Sequence, residues 1–279
     1  MKELLKIILK KFHLYHPLQS FYRKALFLNR RAQTRRAYAS LCGEGFICNV
    51  CSRQYKKFVP DYPERENREA LQKYQVIAGY GDNIFCPYCL STARERLVIA
   101  KLTEIEETGL KILHLSPEKN VYHFLKQKGH VTTADILPGF YTTIDGLVEK
   151  QDATQFTYPD NHFDLLVANH ILEHIADDKK ALSEMFRVLK AGSRAVMQVP
   201  YSELIEATLE EPTINNAIRQ STQFGQKDHV RIYSLTDYVM RVRNAGFNVE
   251  FIPYHALQKY YKYAIQNGES FLVIKKLAS

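Results

Sequence analysis

No stretch of this 279-residue chain stays apolar long enough to cross a bilayer as a helix. Lysines interrupt the apolar residues at its start, so the first twelve positions do not read as a secretory signal either. There is no internal repeat and no low-complexity tract, which excludes a solenoid or a repetitive rod. Acids are nearly missing from residues 1–40, where ten Lys or Arg stand against Glu3 alone; the rest of the chain holds 28 basic and 29 acidic residues. The formal charge of +8 therefore belongs to a tail. With 46% hydrophobic and 24% charged residues, the length suits one α/β domain of roughly 180 residues plus smaller attachments.

The organised pattern begins at Lys111. Lys111–Ser116 is a β-type run, Val121, Phe124 and Leu125 follow at helical spacing, and Gly129 reads as the stop of that helix. Residues 130–135 form a β-branched strand ending in Asp135. Strand, helix and strand in so short a span require a right-handed crossover between parallel strands. Leu147–Ala153 predicts a third strand and Phe163–Asn169 a fourth, while Leu182, Met185, Phe186 and Leu189 make one helical stripe ahead of a fifth strand over Arg194–Pro200. A doubly wound α/β sheet follows.

Ligands of such sheets bind beyond the carboxyl ends of the strands, where strand order reverses. Here those ends carry Ser116-Pro117-Glu118, Asp135, Asp152, His170 and Tyr201. Asp135 lies 19 residues after Ser116, close to the spacing at which a carboxylate accepts hydrogen bonds from ribose hydroxyls, and Asp152 would face an adenine edge. The competing reading makes both aspartates turn residues, which Asp favours at strand ends.

At these positions the chain resembles the class I S-adenosylmethionine-dependent methyltransferases. Asp152-Ala153, Pro159-Asp160-Asn161-His162-Phe163-Asp164, Ile171-Leu172-Glu173-His174 and Leu189-Lys190-Ala191-Gly192 are similar to that family's successive signatures, in order. The resemblance covers Lys111–Pro200 and continues more loosely to Lys276. It implies a Rossmann-like sheet whose last two strands, Phe247–Pro253 and Phe271–Lys276, form an antiparallel hairpin bridged by Tyr254–Gln266. It further implies that Ser116, Pro117 and Glu118 cradle the methionine end of the cofactor, that Asp135 holds the ribose and that Asp152 with Ala153 recognises adenine. Asn169, closing the fourth strand, is counted with these cofactor-binding positions. Methyl transfer would be an in-line displacement in which the protein positions the nucleophile and removes its proton.

The sequence departs from the family in one place. The first loop, His114-Leu115-Ser116-Pro117-Glu118-Lys119-Asn120, has no glycine, which keeps open an inert binding module as the alternative. His114 reads as a core or loop histidine, and Glu118 equally as a first-turn carboxylate favoured by the helix dipole. His170-Ile-Leu-Glu173-His174 matches a zinc-peptidase pattern, but the apolar run before it is a strand, which places His170 at a strand-to-helix junction and not on a helix face with His174. A dehydrogenase is disfavoured because no pyrophosphate cradle follows the first strand.

Four of the five cysteines fall as Cys48-x-x-Cys51 and Cys86-x-x-Cys89, which supply the four thiolates of a closed, structural zinc site. The 34 residues between the pairs require a hairpin or helical insert. Cys42 is left as a small apolar side chain, and reduced thiolates imply a cytoplasmic location. The expected organisation is a basic helical extension over 1–40, a zinc-ribbon-like module over 41–90, a connecting helix over 91–108 capped by Ser91, and the methyltransferase domain over 109–279. In the tail, Lys2, Lys6 and Lys10 share a spacing of four, with Leu5, Ile8 and Phe12 on another side. Such a helix packs its apolar side on the protein, lies at an anionic inner-membrane surface, or meets RNA.

Residues 201–226 lack clean periodicity and read as a cover over the pocket. His229 is the leading candidate for general base, because imidazole titrates near neutral pH and a loop after the fifth strand opens onto the substrate side; His170 is the second. Arg231 would orient an anionic group, unless both residues simply tie the loop down. No Asn-Pro-Pro-Tyr tetrapeptide follows the fourth strand and no spare cysteine stands near the pocket, which leaves an oxygen or ordinary nitrogen as acceptor. A small molecule or glycan is slightly favoured over RNA.

Overall fold

The computed structural model describes residues 15–278. The Lys2, Lys6, Lys10 stripe lies outside the described residues. The first element is a long helix, α1 (Tyr15–Ala37), whose second half packs on the cysteine-bearing segment. Arg35 stacks over the Tyr88 ring at 3.7 Å and donates to the Tyr88 carbonyl, and Arg30 sits over Phe85 at 4.2 Å. These arginines are held by cation–π contact with protein.

Two small antiparallel pairs follow: β1 (Cys42–Ile47) with β2 (Gln54–Tyr55), then β3 (Val59–Asp61) with β4 (Gly81–Phe85). The helix α2 (Arg65–Lys73) lies between β3 and β4, so the insert between the cysteine pairs is both strand and helix. α3 (Ala93–Thr103) leads out of this segment, and its cap is Thr92, one residue beyond the expected Ser91. Thr92 Oγ1 accepts from the Glu95 amide while Glu95 accepts from the Thr92 amide, the reciprocal capping box. Ser91 is instead drawn to the sulfurs of Cys48 and Cys89.

The main sheet comprises β5 (Leu110–Leu115), α4 (Lys119–Leu125), β6 (Gly129–Asp135), β7 (Glu149–Lys150), β8 (Phe163–Val167), α5 (Asp178–Val188) and β9 (Leu189–Val196). The chain then leaves the sheet for β10 (Tyr201–Ser202), β11 (Leu209–Glu210), α6 (Ala217–Phe224) and β12 (Arg231–Ser234), three of which pair as a separate small sheet in the order β10-β12-β11. It returns through α7 (Leu235–Asn244), β13 (Asn248–Ile252), a 3-10 stretch over Tyr254–Tyr263, and β14 (Phe271–Lys275). Strand order is β13-β14-β9-β8-β5-β6-β7, with β14 antiparallel to both neighbours and β5 to β9 parallel. Order reverses between β5 and β8, which sets the ligand crevice at their carboxyl ends.

Both faces are covered, as the consecutive apolar residues Leu165, Leu166 and Val167 of β8 require. Ile112, Leu165 and Val167 meet Leu97, Val121 and Leu125 from α3 and α4 on one side. Leu113 and Leu166 meet Leu182, Met185 and Val242 from α5 and α7 on the other.

Three expectations need correction. The third strand is two residues long, because it is an edge with a neighbour on one side only, and Leu147 is 86% exposed. The fifth strand begins at Leu189 and ends at Val196; Leu189 is buried in either conformation, so burial periodicity could not separate helix from strand there. Gly129 does not stop a helix but opens β6, where an added Cβ would lie 2.0 Å from the Leu110 carbonyl oxygen, so the backbones approach too closely for any side chain.

Two buried polar residues hold these layers in place. Arg96 is fully buried and donates to the carbonyls of Asn83, Ile84, Ser91, Tyr263 and Ala264, tying the cysteine-bearing segment to the chain before β14. Arg96→Met should lower stability by about 2–4 kcal/mol, since five buried carbonyls lose their donor; urea denaturation would measure it, and a loss below the measurement error contradicts the clamp. His114, at the end of β5, accepts from the Glu118 amide at 3.3 Å, and burial pushes its pKa down to about 4. The unfolded chain therefore binds one more proton than the folded chain between about pH 6.5 and 4, and stability is lost as pH falls through that window. His114→Gln should flatten the acid-side decline by about 1.4 kcal/mol per pH unit, read from urea midpoints at pH 7 and 4.5.

Candidate active site

Two regions bring chemically capable side chains together. In the first, the sulfurs of Cys48, Cys51, Cys86 and Cys89 all lie within 4.8 Å of one another, with Cys48 to Cys89 at 3.6 Å and Cys51 to Cys86 at 3.7 Å. The two pairs are built alike. The Ser52 amide donates to the Cys48 carbonyl and the Leu90 amide to the Cys86 carbonyl, with Ser52 and Leu90 in the left-handed region at φ 59° and 61°. Metal–sulfur bonds of about 2.3 Å in a tetrahedron put sulfurs about 3.8 Å apart, and these distances fit. Four thiols this close cannot ionise together without a cation: the bond shared with Cys48 pushes both Cys51 and Cys86 up. Cys42 is exposed and takes no part.

The second region runs along the carboxyl ends of β5, β6 and β8. Ser116 stands in the left-handed region at φ 45°, in a loop that contains no glycine, and its hydroxyl donates to Asp135 Oδ2 at 2.5 Å. The other oxygen of Asp135 accepts from the Leu137 amide at 2.6 Å. Tyr141 reaches the same pair, and burial first, then the Asp135 charge, pushes its hydroxyl up to about 12. Asp152 lies on the same sheet edge, two residues past Lys150, which pairs with Asp135. It is exposed and accepts from the Thr154 amide and hydroxyl, both at 2.8 Å, which holds its pKa low. Ala153, beside it, is half-buried and packs against the core.

Glu118 is not a free first-turn carboxylate. Arg94 donates to its Oε1 from Nε at 3.0 Å and forms an ion pair with the same oxygen through Nη2 at 2.9 Å, and Asn169 donates to its Oε2 at 3.0 Å. Pro117 fixes the turn between Ser116 and Glu118. Nearby, Glu95 accepts from the amide and side chain of Asn120, fixing the first turn of α4. Arg94, Glu95, Tyr141 and Glu269 were not singled out by sequence. The adjacent charges Arg94-Glu95-Arg96 on a helix that must be buried were the available signal for the first two.

His170 follows β8 in a left-handed conformation at φ 51°, and only a 3-10 turn, Leu172–His174, comes after it, so His170 and His174 share no helix face. His170 Nδ1 lies 3.5 Å from Glu173 Oε1, and His229 Nε2 lies 4.0 Å from the same oxygen. Burial pushes the His229 pKa down to about 3 and His170 well below its ordinary value, so both imidazoles are neutral at pH 7. Burial likewise raises Glu173, and lifts Glu269 to about 7 against the pull of Arg94. Arg231 is buried and donates to the carbonyls of Leu172, Ile175 and Ala176 and to Glu210, so it fastens the loop.

The segment between the cysteine pairs also meets residues 201–226. α2 packs on α6, and Ile77 bridges to Tyr201. A cleft of about 670 Å³ opens between them, lined in part by Asp61, Tyr62, Glu64, Ile218 and Lys227.

Residues 101–197 match a family model described as a methyltransferase domain. The uncharacterized methyltransferase YcgJ of Bacillus subtilis is 26% identical over 112 residues, 40% of this chain and 40% of that one. The ubiquinone/menaquinone biosynthesis C-methyltransferase UbiE of Psychromonas ingrahamii is 37% identical over 82 residues, 25% of this chain and 33% of that one. The chain thus spans two fifths or less of the length of these two relatives. A crystal structure of an S-adenosylmethionine-dependent methyltransferase from Mesorhizobium loti aligns at a TM-score of 0.47 and 12% identity, over 64% of this chain and 95% of that one. Residues 101–197, which match the methyltransferase-domain model, run from the end of α3 through β9 and so hold the five parallel strands of the seven-stranded sheet.

Proposed function

We propose that this chain transfers the sulfonium methyl group of S-adenosylmethionine to an oxygen or nitrogen of a small molecule or glycan, which enters by the cleft between the cysteine-bearing segment and the 201–226 cover. What supports this reading is one run of contacts along the sheet edge: Asp135 to Ser116, Glu118 to Asn169, and His170 to Glu173. Asp135 and Asp152 would hold the adenosyl half, and Ser116, Pro117 and Glu118 the methionine half. Methyl transfer leaves a proton on the acceptor, and a neutral imidazole takes it. His170 fills that role at the end of β8, with His229 behind it. Asp61, Glu64 and Glu66 along the cleft favour a hydroxyl-rich acceptor and repel a phosphate backbone.

In this reading residues 41–90 are a module folded around one zinc held by Cys48, Cys51, Cys86 and Cys89, residues 91–108 connect it to the sheet, and residues 109–279 are the catalytic domain. Four thiolates close the coordination sphere, so this zinc stabilises the fold and touches no substrate. Such thiolates suit a reducing compartment. Among the described residues no helix is long and apolar enough to cross a membrane.

Asp135→Ala should weaken binding of S-adenosylhomocysteine roughly ten- to a hundred-fold, as expected for loss of charge-assisted hydrogen bonds; calorimetry giving an unchanged affinity refutes the ribose role. Labelled methyl groups should pass from the cofactor into the small-molecule or glycan fraction of a cell extract, and label in RNA overturns the acceptor class. Cys51→Ser with Cys89→Ser should remove one zinc per chain and lower the melting temperature, and a metal-free protein that melts like the parent contradicts the zinc assignment.

A further inference from the structure

Glu173 is 1% exposed, yet neither of its carboxylate oxygens has a hydrogen-bond partner. An acid in that condition is destabilising whether it is charged or neutral, so something outside the protein's own donors is expected to meet it. Arg94 is committed to Glu118 and Arg231 to backbone carbonyls, which leaves no cationic side chain to fill the gap. What surrounds Glu173 instead is imidazole: His170 on one side, and His174 with His229 on the other. His174 and His229 stand edge to face, with ring centroids 4.7 Å apart, and one ligand atom from each of Glu173, His174 and His229 lies within 4.8 Å of the others.

We propose that Glu173, His174 and His229 form a second metal site, separate from the four cysteines, that takes one divalent first-row transition cation. Two imidazole nitrogens and one carboxylate oxygen are the donor set such cations prefer over magnesium or calcium. The outer contacts orient the rings for it. His174 Nδ1 lies 3.1 Å from the Asp228 carbonyl oxygen, so that nitrogen carries the proton and Nε2 keeps its lone pair. His229 is tied to the backbone of Phe224 and turns Nε2 toward Glu173. The two loops that supply the ligands are fastened to each other before any cation arrives: the Val230 amide donates to the Glu173 carbonyl at 3.0 Å, and Arg231 grips Leu172, Ile175 and Ala176. Bonds of about 2.1 Å place adjacent ligand atoms about 3–3.5 Å apart, so the two rings and the carboxylate swing inward on binding while the backbone stays.

Three protein ligands leave open positions, unlike the closed cysteine site. His170, 3.5 Å from Glu173, stands at the edge of the cluster next to Asn169 and the cofactor loop. On the methyl-transfer reading, an acceptor oxygen on the cation would be held beside the imidazole that takes its proton; that role rests on the proposed function, whereas cation binding does not.

The test is titration of the full zinc-loaded chain with cobalt(II) chloride, followed by optical absorption, with S-adenosylhomocysteine calorimetry on the same samples. The parent should bind one equivalent of cobalt with weak nitrogen/oxygen-type bands and no thiolate charge-transfer absorption. Glu173→Gln, nearly isosteric, and His174→Ala with His229→Ala should each lose that equivalent while keeping the cysteine-bound zinc. If the double variant fails to fold, Glu173→Gln alone decides. A parent that binds S-adenosylhomocysteine but no cobalt outside the thiolates, or variants that bind cobalt like the parent, overturn the metal site and leave the methyltransferase reading intact. Cobalt binding without any S-adenosylhomocysteine binding does the reverse.

Discussion

Three consecutive charged residues on one helix hold this molecule together. An α-helix turns about 100° per residue, so Arg94, Glu95 and Arg96 point in three directions from α3, and each finds a different partner. Arg94 binds Glu118 in the loop after β5, Glu95 accepts from Asn120 at the start of α4, and Arg96 collects carbonyls from the cysteine-bearing segment and from the chain before β14. None of the three has a solvent alternative comparable to its partner, because α3 is packed on the sheet through Leu97, Val98 and Leu102. The position of the cysteine cluster relative to the crevice is therefore set by hydrogen bonds inside the core, and not by a flexible linker.

The same burial decides the electrostatics of the crevice. His114, His170 and His229 are kept neutral, while the carboxyls of Glu173 and Glu269 are raised. Glu118 is held by Arg94 and Asn169 close by. The ring nitrogens of His174 and His229 converge with the Glu173 carboxylate at one end of this crevice.

The basic tail resolves in part. Its described part spends Arg30 and Arg35 on the rings of Phe85 and Tyr88, and α1 also brings Phe27 within 5.1 Å of Lys119 at the start of α4. Two of the positive charges that looked available to an external polyanion, Arg30 and Arg35, thus lie against aromatic rings of the protein, while Lys24 and Arg36 are exposed.

Periodicity determined the parallel strands and the crossover helices, because apolar residues at spacings of two and of 3.6 must be covered on both faces, whereas the antiparallel pairing of the last two strands came from the family resemblance. Cysteine spacing determined the four-sulfur cluster, since two short knuckles bring ligands together locally and only one long-range contact remained to be made. The sequence also put Ser116, Asp135 and Asp152 on one edge. It did not reveal where Glu118 points, that Arg231 is consumed by carbonyls, or that Glu173, His174 and His229 converge. These facts depend on which side chains meet across 51 to 59 residues of chain and on which hydrogen-bonding groups are left over once the core has closed. Only the packed tertiary structure fixes both, because burial sets the demand for a partner and the surrounding backbone sets whether one is within reach.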